Sequence, residues 1–261
     1  MYTVSLLGSD AEPAASRLAG TVEGRTGIVR FDAATDGGQA VARTATEYVV
    51  DDGWHASGED LSVRDAVDRL APDHEYAFVV GAPDARLPVV VVGETDASAD
   101  DPLVSVPSVA ELDTEAALEA IHDTDPYETL ESLVASVKRS EQATYSGAIA
   151  TFTGRVRAKE NEADERTRYL EFEKYDSVAE RRMDTIKSEL EDRDGVLEVK
   201  LHHRTGKVPD GEDIVFVVVL AGHREEAFRT AKDGIDRLKD EVPLFKKEVT
   251  DEETFWVHQR E

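Results

Sequence analysis

Cationic side chains gather at three places in a chain that is otherwise strongly acidic. Arg155 and Arg157 stand two apart in TFTGRVR at 151–157, just past a glycine that ends a strand-like run. His223 and Arg224 are adjacent in AGHREEAF at 221–228. Lys239, Lys246 and Lys247 sit in RLKDEVPLFKKE at 237–248. Guanidinium and ammonium groups hold anions by charge-assisted hydrogen bonds. A lysine whose pKa is lowered by burial or neighbouring cations also moves protons and steadies an oxyanion. The Val-Pro-Leu-Phe run at 242–245 supplies an apolar wall beside those lysines; a purely solvated charge run has no use for Pro243 and Phe245. Lysine is scarce: the 261 residues hold ten, none before Lys138, within a formal net charge of −26.

Each group also has an ordinary structural reading. Arginines at a strand end are commonly solvated or bridged to local acids, and a His-Arg pair at a helix start is commonly a surface feature. A lysine at a helix C-terminus answers the helix dipole. His202 and His203, adjacent in a strand, point to opposite faces and do not chelate together; one is expected in the core and one exposed. By themselves these residues describe an anion site. The helix expected from His223 onward is ~25 Å long at 1.5 Å per residue. His223 and Lys239 of one chain therefore do not reach one ligand, and a site that uses both is built across a dimer.

The elements that must position these groups fall into two halves of different charge. Residues 1–125 carry 25 acids against seven bases, all arginine; residues 126–261 carry 31 against 23. The stretch from Glu94 to Pro107 is acidic and weakly periodic, so the expected division is a domain at 1–95, a linker at 96–125 and a second domain at 126–261. In the first half, strand-like runs at 2–7, 26–31 and 46–50 and the apolar runs EYAFVVG and LPVVVVG alternate with helices at 10–19 and from Ser62. This is the pattern of a small parallel α/β domain. In the second, strands at 146–154, 169–175, 196–206 and 212–222 alternate with helices at 127–139, 177–192 and from 223. Pro209-Asp210-Gly211 is expected to turn the chain between the last two strands, and Ala227, Phe228, Ala231, Ile235 and Leu238 to face inward. The expectation is α+β with a largely antiparallel sheet.

Composition excludes several classes. The chain has no cysteine, so disulfides, zinc-thiolate sites and a thiol nucleophile are out. The 56 acids against 30 bases make nucleic acid and anionic membrane poor partners. No metal site is expected: DDGWHASGED at 51–60 lacks calcium-loop spacing and reads as turn chemistry. No cofactor is expected either. MYTVSLLGSD lacks the features of a signal peptide, and no run of ~20 apolar residues exists to span a membrane; a cytoplasmic protein is expected. The acidic, lysine-poor composition resembles that of proteins from salt-loving microbes, where self-repulsion is screened.

TFTGRVR, AGHREEAF and RLKDEVPLFKKE together resemble, in order and spacing, the catalytic subunit of molybdopterin synthase, the MoaE family, over about residues 126–258. The resemblance implies an α/β hammerhead-type domain that dimerises within a heterotetramer. Each end of the dimer would bind a small ubiquitin-like sulfur carrier whose C-terminal Gly-Gly is a thiocarboxylate. Two sulfurs would pass to cyclic pyranopterin monophosphate, giving the dithiolene. It implies roles for Lys239, in contact with substrate and assisting proton transfer, and for Lys246, orienting the carrier's carboxyl group. Arg157, His223 and Arg224 would hold the phosphate, with Arg155 and Val156 at the same strand end. Lys247 and Glu248 would shape the pocket, and Phe152, Ile235 and Phe245 would wall it. The family often has methionine where this chain has Ile235. The same pocket also admits a second role, docking a ubiquitin-like modifier and accepting it on a lysine. Residues 1–95 resemble more weakly the P-loop accessory protein MobB. A phosphate loop needs G-x4-G-K-[ST] after the first strand, whereas Pro13, Ala14 and Ala15 stand at its chemical positions. That points to a degenerate P-loop-like scaffold or partner platform.

Overall fold

The computed structural model describes residues 1–31, 46–50, 52, 54–58, 60–99, 101–174, 176–251 and 254–257. The chain forms two units, Met1–Glu128 and Thr129–Glu261.

The first unit contains β1 (Tyr2–Leu7), α1 (Ala11–Ala19), β2 (Thr26–Arg30), β3 (Glu47–Val50), β4 (Trp54–Ser57), α2 (Val63–Leu70), β5 (Tyr76–Val80), β6 (Val89–Val92), β7 (Val104–Val106) and α3 (Thr114–His122). Five strands make a parallel sheet in the order β2-β5-β1-β6-β7, and β3 and β4 form a separate antiparallel pair. Val4, Leu6, Phe78, Val79, Val90 and Val92 are wholly buried, because a strand covered on both faces has no polar side to spare. Ser62 caps α2 in a capping box with Asp65. The stretch expected to be turn chemistry at 51–60 contains β4; Asp51, Gly53 and Glu59 lie outside the described residues.

The expected linker is part of this unit. Within 96–125, β7 joins the sheet beside β6, with Val90 opposite Val104. Leu112, Ala117 and Ile121 are at most 1% exposed in the core with Val4 and Phe78. The sheet and α3 bury only one side of this segment, so its apolar residues are too sparse to stand out among the acids.

The second unit contains α4 (Leu130–Lys138), β8 (Ala148–Arg155), β9 (Thr167–Lys174), α5 (Asp176–Glu191), β10 (Val196–His203), β11 (Gly206–Pro209), β12 (Asp213–Ala221), α6 (Arg224–Glu241), β13 (Leu244–Thr250) and β14 (Thr254–Val257). It has two antiparallel sheets, β10-β12-β8 and β11-β9-β13-β14. Alternation along β12 divides the core. Val215, Val217 and Val219 pack with Ile186, Leu190, Ile235 and Leu238 of α5 and α6. Phe216, Val218 and Leu220 pack with Leu133 and Val137 of α4.

Two expectations change here. The expected turn at Pro209-Asp210-Gly211 is present, with Glu212 N donating to the Pro209 carbonyl at 3.2 Å, but just before it Gly206–Pro209 pairs with β9 in the other sheet, so these four residues tie the two sheets together. Phe228 is 69% exposed, while Ala227, Thr230, Ala231, Gly234, Ile235 and Leu238 form the buried stripe of α6. At about 100° per residue, Phe228 stands roughly 90° around the helix from the centre of that stripe. Among the described residues, no helix is long and apolar enough to cross a membrane.

Candidate active site

Helix α6 stops because Val242 is extended (φ −90°, ψ 122°) and Pro243 has no N–H with which to continue it. The chain turns at once into β13. This corner sets the last turn of the helix, with Lys239, beside the start of a strand, with Lys246. Both lysines line a cleft of about 1550 Å³ in the second unit. Lys239 is exposed and Lys246 half-buried. Ile235 and Leu238, nearly fully buried, form its floor, and Phe245, 46% exposed, is another wall residue.

Strand alternation decides which lysine serves the cleft. In the register of β13 with β9, Lys246 lies opposite Phe172, Lys247 opposite Glu171 and Glu248 opposite Leu170. Leu244, Lys246, Glu248 and Thr250 share the cleft side, and Phe245, on the other face at the start of the strand, borders the cleft as well. Lys247 does not line the cleft; its Nζ lies 3.1 Å from Glu171 Oε2. The expectation that Lys247 shapes the pocket is therefore corrected, whereas Glu248 lines it and accepts a hydrogen bond from the Thr167 hydroxyl.

The arginine pair reaches the same cleft. Strand β8 ends at Arg155, yet the in-out alternation continues one residue further. Val156 is 2% exposed among Leu170, Phe172 and Val208, so it is a buried pin and not a lining residue. Arg155 and Arg157 stay outside it, 64% and 68% exposed. Arg155 Nε is 3.2 Å from Asp213 Oδ1, and Arg157 Nη1 is 3.0 Å from Glu160 Oε1. Such exposed pairs are worth only ~0.2–1 kcal/mol, so a more highly charged anion can exchange for either carboxylate.

Besides Lys247 and Val156, three more expected residues are not in the cleft. Phe152 packs on the β8-β12 core beneath α6, because its alternation places it inside the sheet packing. His223 and Arg224 sit exposed at the N-terminus of α6. The 18-residue helix separates them from its far end by roughly 27 Å.

The cleft holds groups that sequence reasoning did not assign. His203 lines it, with Nδ1 2.8 Å from the Arg204 carbonyl oxygen and its ring edge-on to Phe172, centroids 4.7 Å apart. His202 turns the other way and stacks on Phe216 at 6.1 Å. Both are half-buried, so neither is the fully exposed partner expected. Alternation signals their divergence; that one enters the cleft follows only from the β9 pairing. Glu241, also lining, accepts from Arg237 Nε at 2.7 Å and from Arg182. These guanidinium hydrogen bonds, Arg237 foremost, hold its carboxyl below the usual carboxylate range.

Three lysines (Lys159, Lys239 and Lys246), two arginines and the His203 imidazole line the cleft around its apolar floor, together with seven carboxylates, on a mixed α/β fold. The family model described as MoaE protein matches residues 123–241. A probable molybdopterin synthase of Haloferax volcanii is 49% identical over 264 residues, covering 100% of both chains. A molybdopterin synthase catalytic subunit of Pyrococcus abyssi is 36% identical over 128 residues, 49% of this chain and 82% of the relative. The crystal structure of molybdopterin synthase from Staphylococcus aureus is similar with 29% identity and a TM-score of 0.45, over 52% of this chain and 93% of that one. The chain belongs to the MoaE family, the catalytic subunits of molybdopterin synthase, sulfurtransferases of molybdenum cofactor biosynthesis.

Proposed function

We propose that the second unit transfers two sulfurs from a thiocarboxylated ubiquitin-like carrier to cyclic pyranopterin monophosphate, with Lys239 and Lys246 performing the chemistry. The observation that carries this reading is the corner at Pro243, which turns both lysines into one cleft with Arg155 and Arg157. Lys246 orients the carrier's terminal carboxyl group and steadies negative charge developing on its oxygen. Lys239 contacts the pterin and moves protons. Arg157 and Arg155 receive the cyclic phosphate. His223 and Arg224, at the far end of α6, complete the phosphate site of a second copy in a homodimer flanked by two carriers. The absence of cysteine accords with sulfur that arrives on a partner.

The test is reconstitution of this chain with a thiocarboxylated carrier and the cyclic precursor. Dithiolene product is expected from the wild type, and its loss from folded Lys239→Ala and Lys246→Ala. Unimpaired synthesis by both variants would refute the assignment. A second reading rests on the exposure of Lys239 in the cleft proposed for the carrier's carboxyl group: an amine there accepts an isopeptide. Peptide mass spectrometry finding no Gly-Gly remnant on Lys239, Lys246 or Lys247 would remove it.

For the first unit the reading is a degenerate P-loop-like scaffold or partner platform without nucleotide hydrolysis. After β1 the backbone N–H groups of Ser9 and Asp10 donate to Glu94 and Val92 carbonyls at 2.9 and 3.0 Å. The Asp10 carboxylate accepts from Val109 N at 3.0 Å. Donors that would wrap a phosphate are thus engaged within the unit. Heat on titration with ATP or GTP would overturn this. A net charge of −26 fits a cytoplasm of high salt, where repulsion is screened; unchanged stability in salt-free buffer would argue against it.

A further inference from the structure

We propose that His203 is the base that activates the water which frees the carrier after each sulfur transfer. The inference rests on the sulfur-transfer reading above. When sulfur has bonded to a substrate carbon but not yet left the carrier, it bridges the two as a thioester. Release requires a water oxygen to bond to the acyl carbon while the acyl C–S bond breaks. The electron pair of that bond stays on sulfur as a substrate thiolate. One water proton goes to the base, and the carrier departs as a carboxylic acid that ionises in solvent.

The geometry points to His203 for that proton. Its Nδ1 faces the Arg204 carbonyl oxygen at 2.8 Å, which only accepts, so the proton of the neutral ring is on Nδ1 and the lone pair on Nε2. The carbonyl is itself held in place: Arg204 N donates to Ile214 O at 2.8 Å, and its guanidinium binds Glu212 and the Asp213 carbonyl. The ring is further fixed edge-on against Phe172, centroids 4.7 Å apart. Phe172 is the register partner of Lys246, the group assigned to the carrier's carboxyl, and neighbouring strands lie ~4.8 Å apart. His203, in ring contact with Phe172, and Lys246, its register partner, thus both neighbour Phe172 in the same cleft. Arginine stays protonated and lysine ordinarily does too, whereas imidazole exchanges a proton near neutrality.

The experiment uses the full chain with thiocarboxylated carrier and the cyclic precursor. His203→Asn keeps a nitrogen for the Arg204 carbonyl and deletes Nε2. Its kcat is expected to fall ~10²–10⁴-fold, with KM for the precursor changed less than about threefold. Intact-mass spectra of quenched reactions should show a carrier–substrate thioester that Lys246→Ala does not accumulate, and added imidazole should restore part of the rate. His203→Gln tests the same outcomes if the asparagine variant does not fold. Wild-type kcat, or a raised KM with unchanged kcat and no adduct, overturns the proposal. If the wild-type chain forms no dithiolene, the sulfur-transfer reading falls and this one with it; an active wild type with an unaffected variant defeats the proton role alone.

Discussion

Lys246 and Lys247 are adjacent in sequence and leave β13 on opposite faces: Lys247 Nζ lies 3.1 Å from Glu171 Oε2, whereas Lys246 lines the cleft across from Phe172. Successive strand side chains always diverge in this way, so neighbouring amines have unequal access to any ligand.

Lys247→Ala should therefore keep product formation within about threefold of wild type and cost ~0.2–1 kcal/mol of stability, the usual worth of a half-exposed ion pair. Lys246→Ala should lower kcat by roughly 10²-fold or more with an unchanged melting temperature. Side-by-side turnover and thermal melts check both.

Two α6 ends that cannot meet within one chain predict complementation. Arg224→Ala and Lys239→Ala chains should each be nearly inactive. Mixed under conditions that let chains exchange, they should recover about a quarter of wild-type turnover in the proposed homodimer, because half of randomly assorted dimers would be mixed and each mixed dimer would hold one intact site. No recovery in verified mixed dimers would place Arg224 outside the site.

Glu241 predicts a pH dependence. Its folded-state pKa lies below the ordinary 4.5, chiefly through the Arg237 hydrogen bond. The stability it contributes is present above the unfolded-state value and lost as pH falls through the lower folded-state value. Glu241→Gln should thus melt lower than wild type at pH 7, with the gap closing as the pH falls below about 4.5. A gap that stays constant from pH 7 to pH 3 would show that the guanidinium pairing is not its source.

Gly8 should be intolerant. Its φ is +107°, and a Cβ there would stand 2.3 Å from the Val92 carbonyl oxygen, whereas Gly206, at φ +72°, has nothing within 4 Å. Gly8→Ala adds a clash to backbone strain and should cost more than the ~1–3 kcal/mol of strain alone. Gly206→Ala should cost no more than that strain. Urea unfolding of the full chain measures each loss.

Much of the secondary structure was legible because its causes are local. The apolar runs of β5 and β6, the Ser62 cap and the stop at Pro243 are each written within a few residues. The cleft was partly legible for the same reason: the Arg155-Val156-Arg157 alternation and the helix stop at Pro243 are short-range features, whereas the strand β13 that follows was not read from the sequence. Residues 96–125 misled because β7 and α3 bury few apolar side chains among many acids. Phe228 misled because its place at i−3 from Ala231 and i−7 from Ile235 fits an inward face that the packing of α5 and β12 ends just short of it.

By itself the sequence determined the chemistry available: an anion-holding set of lysines and arginines, no thiol, and helix and strand periods that put each group near an element's end. Only the tertiary structure decided which of those groups share a space. The pairing of β13 with β9 sent Lys246 into the cleft and Lys247 away. The pairing of β9 with β11 and the packing of Phe172 brought His203 to the same wall, and the length of α6 kept His223 and Arg224 out. Periodicity fixes the angle between neighbours on one element, whereas the face that meets a given cavity depends on strand register set by residues some 75 positions distant, as Lys246 and Phe172 are.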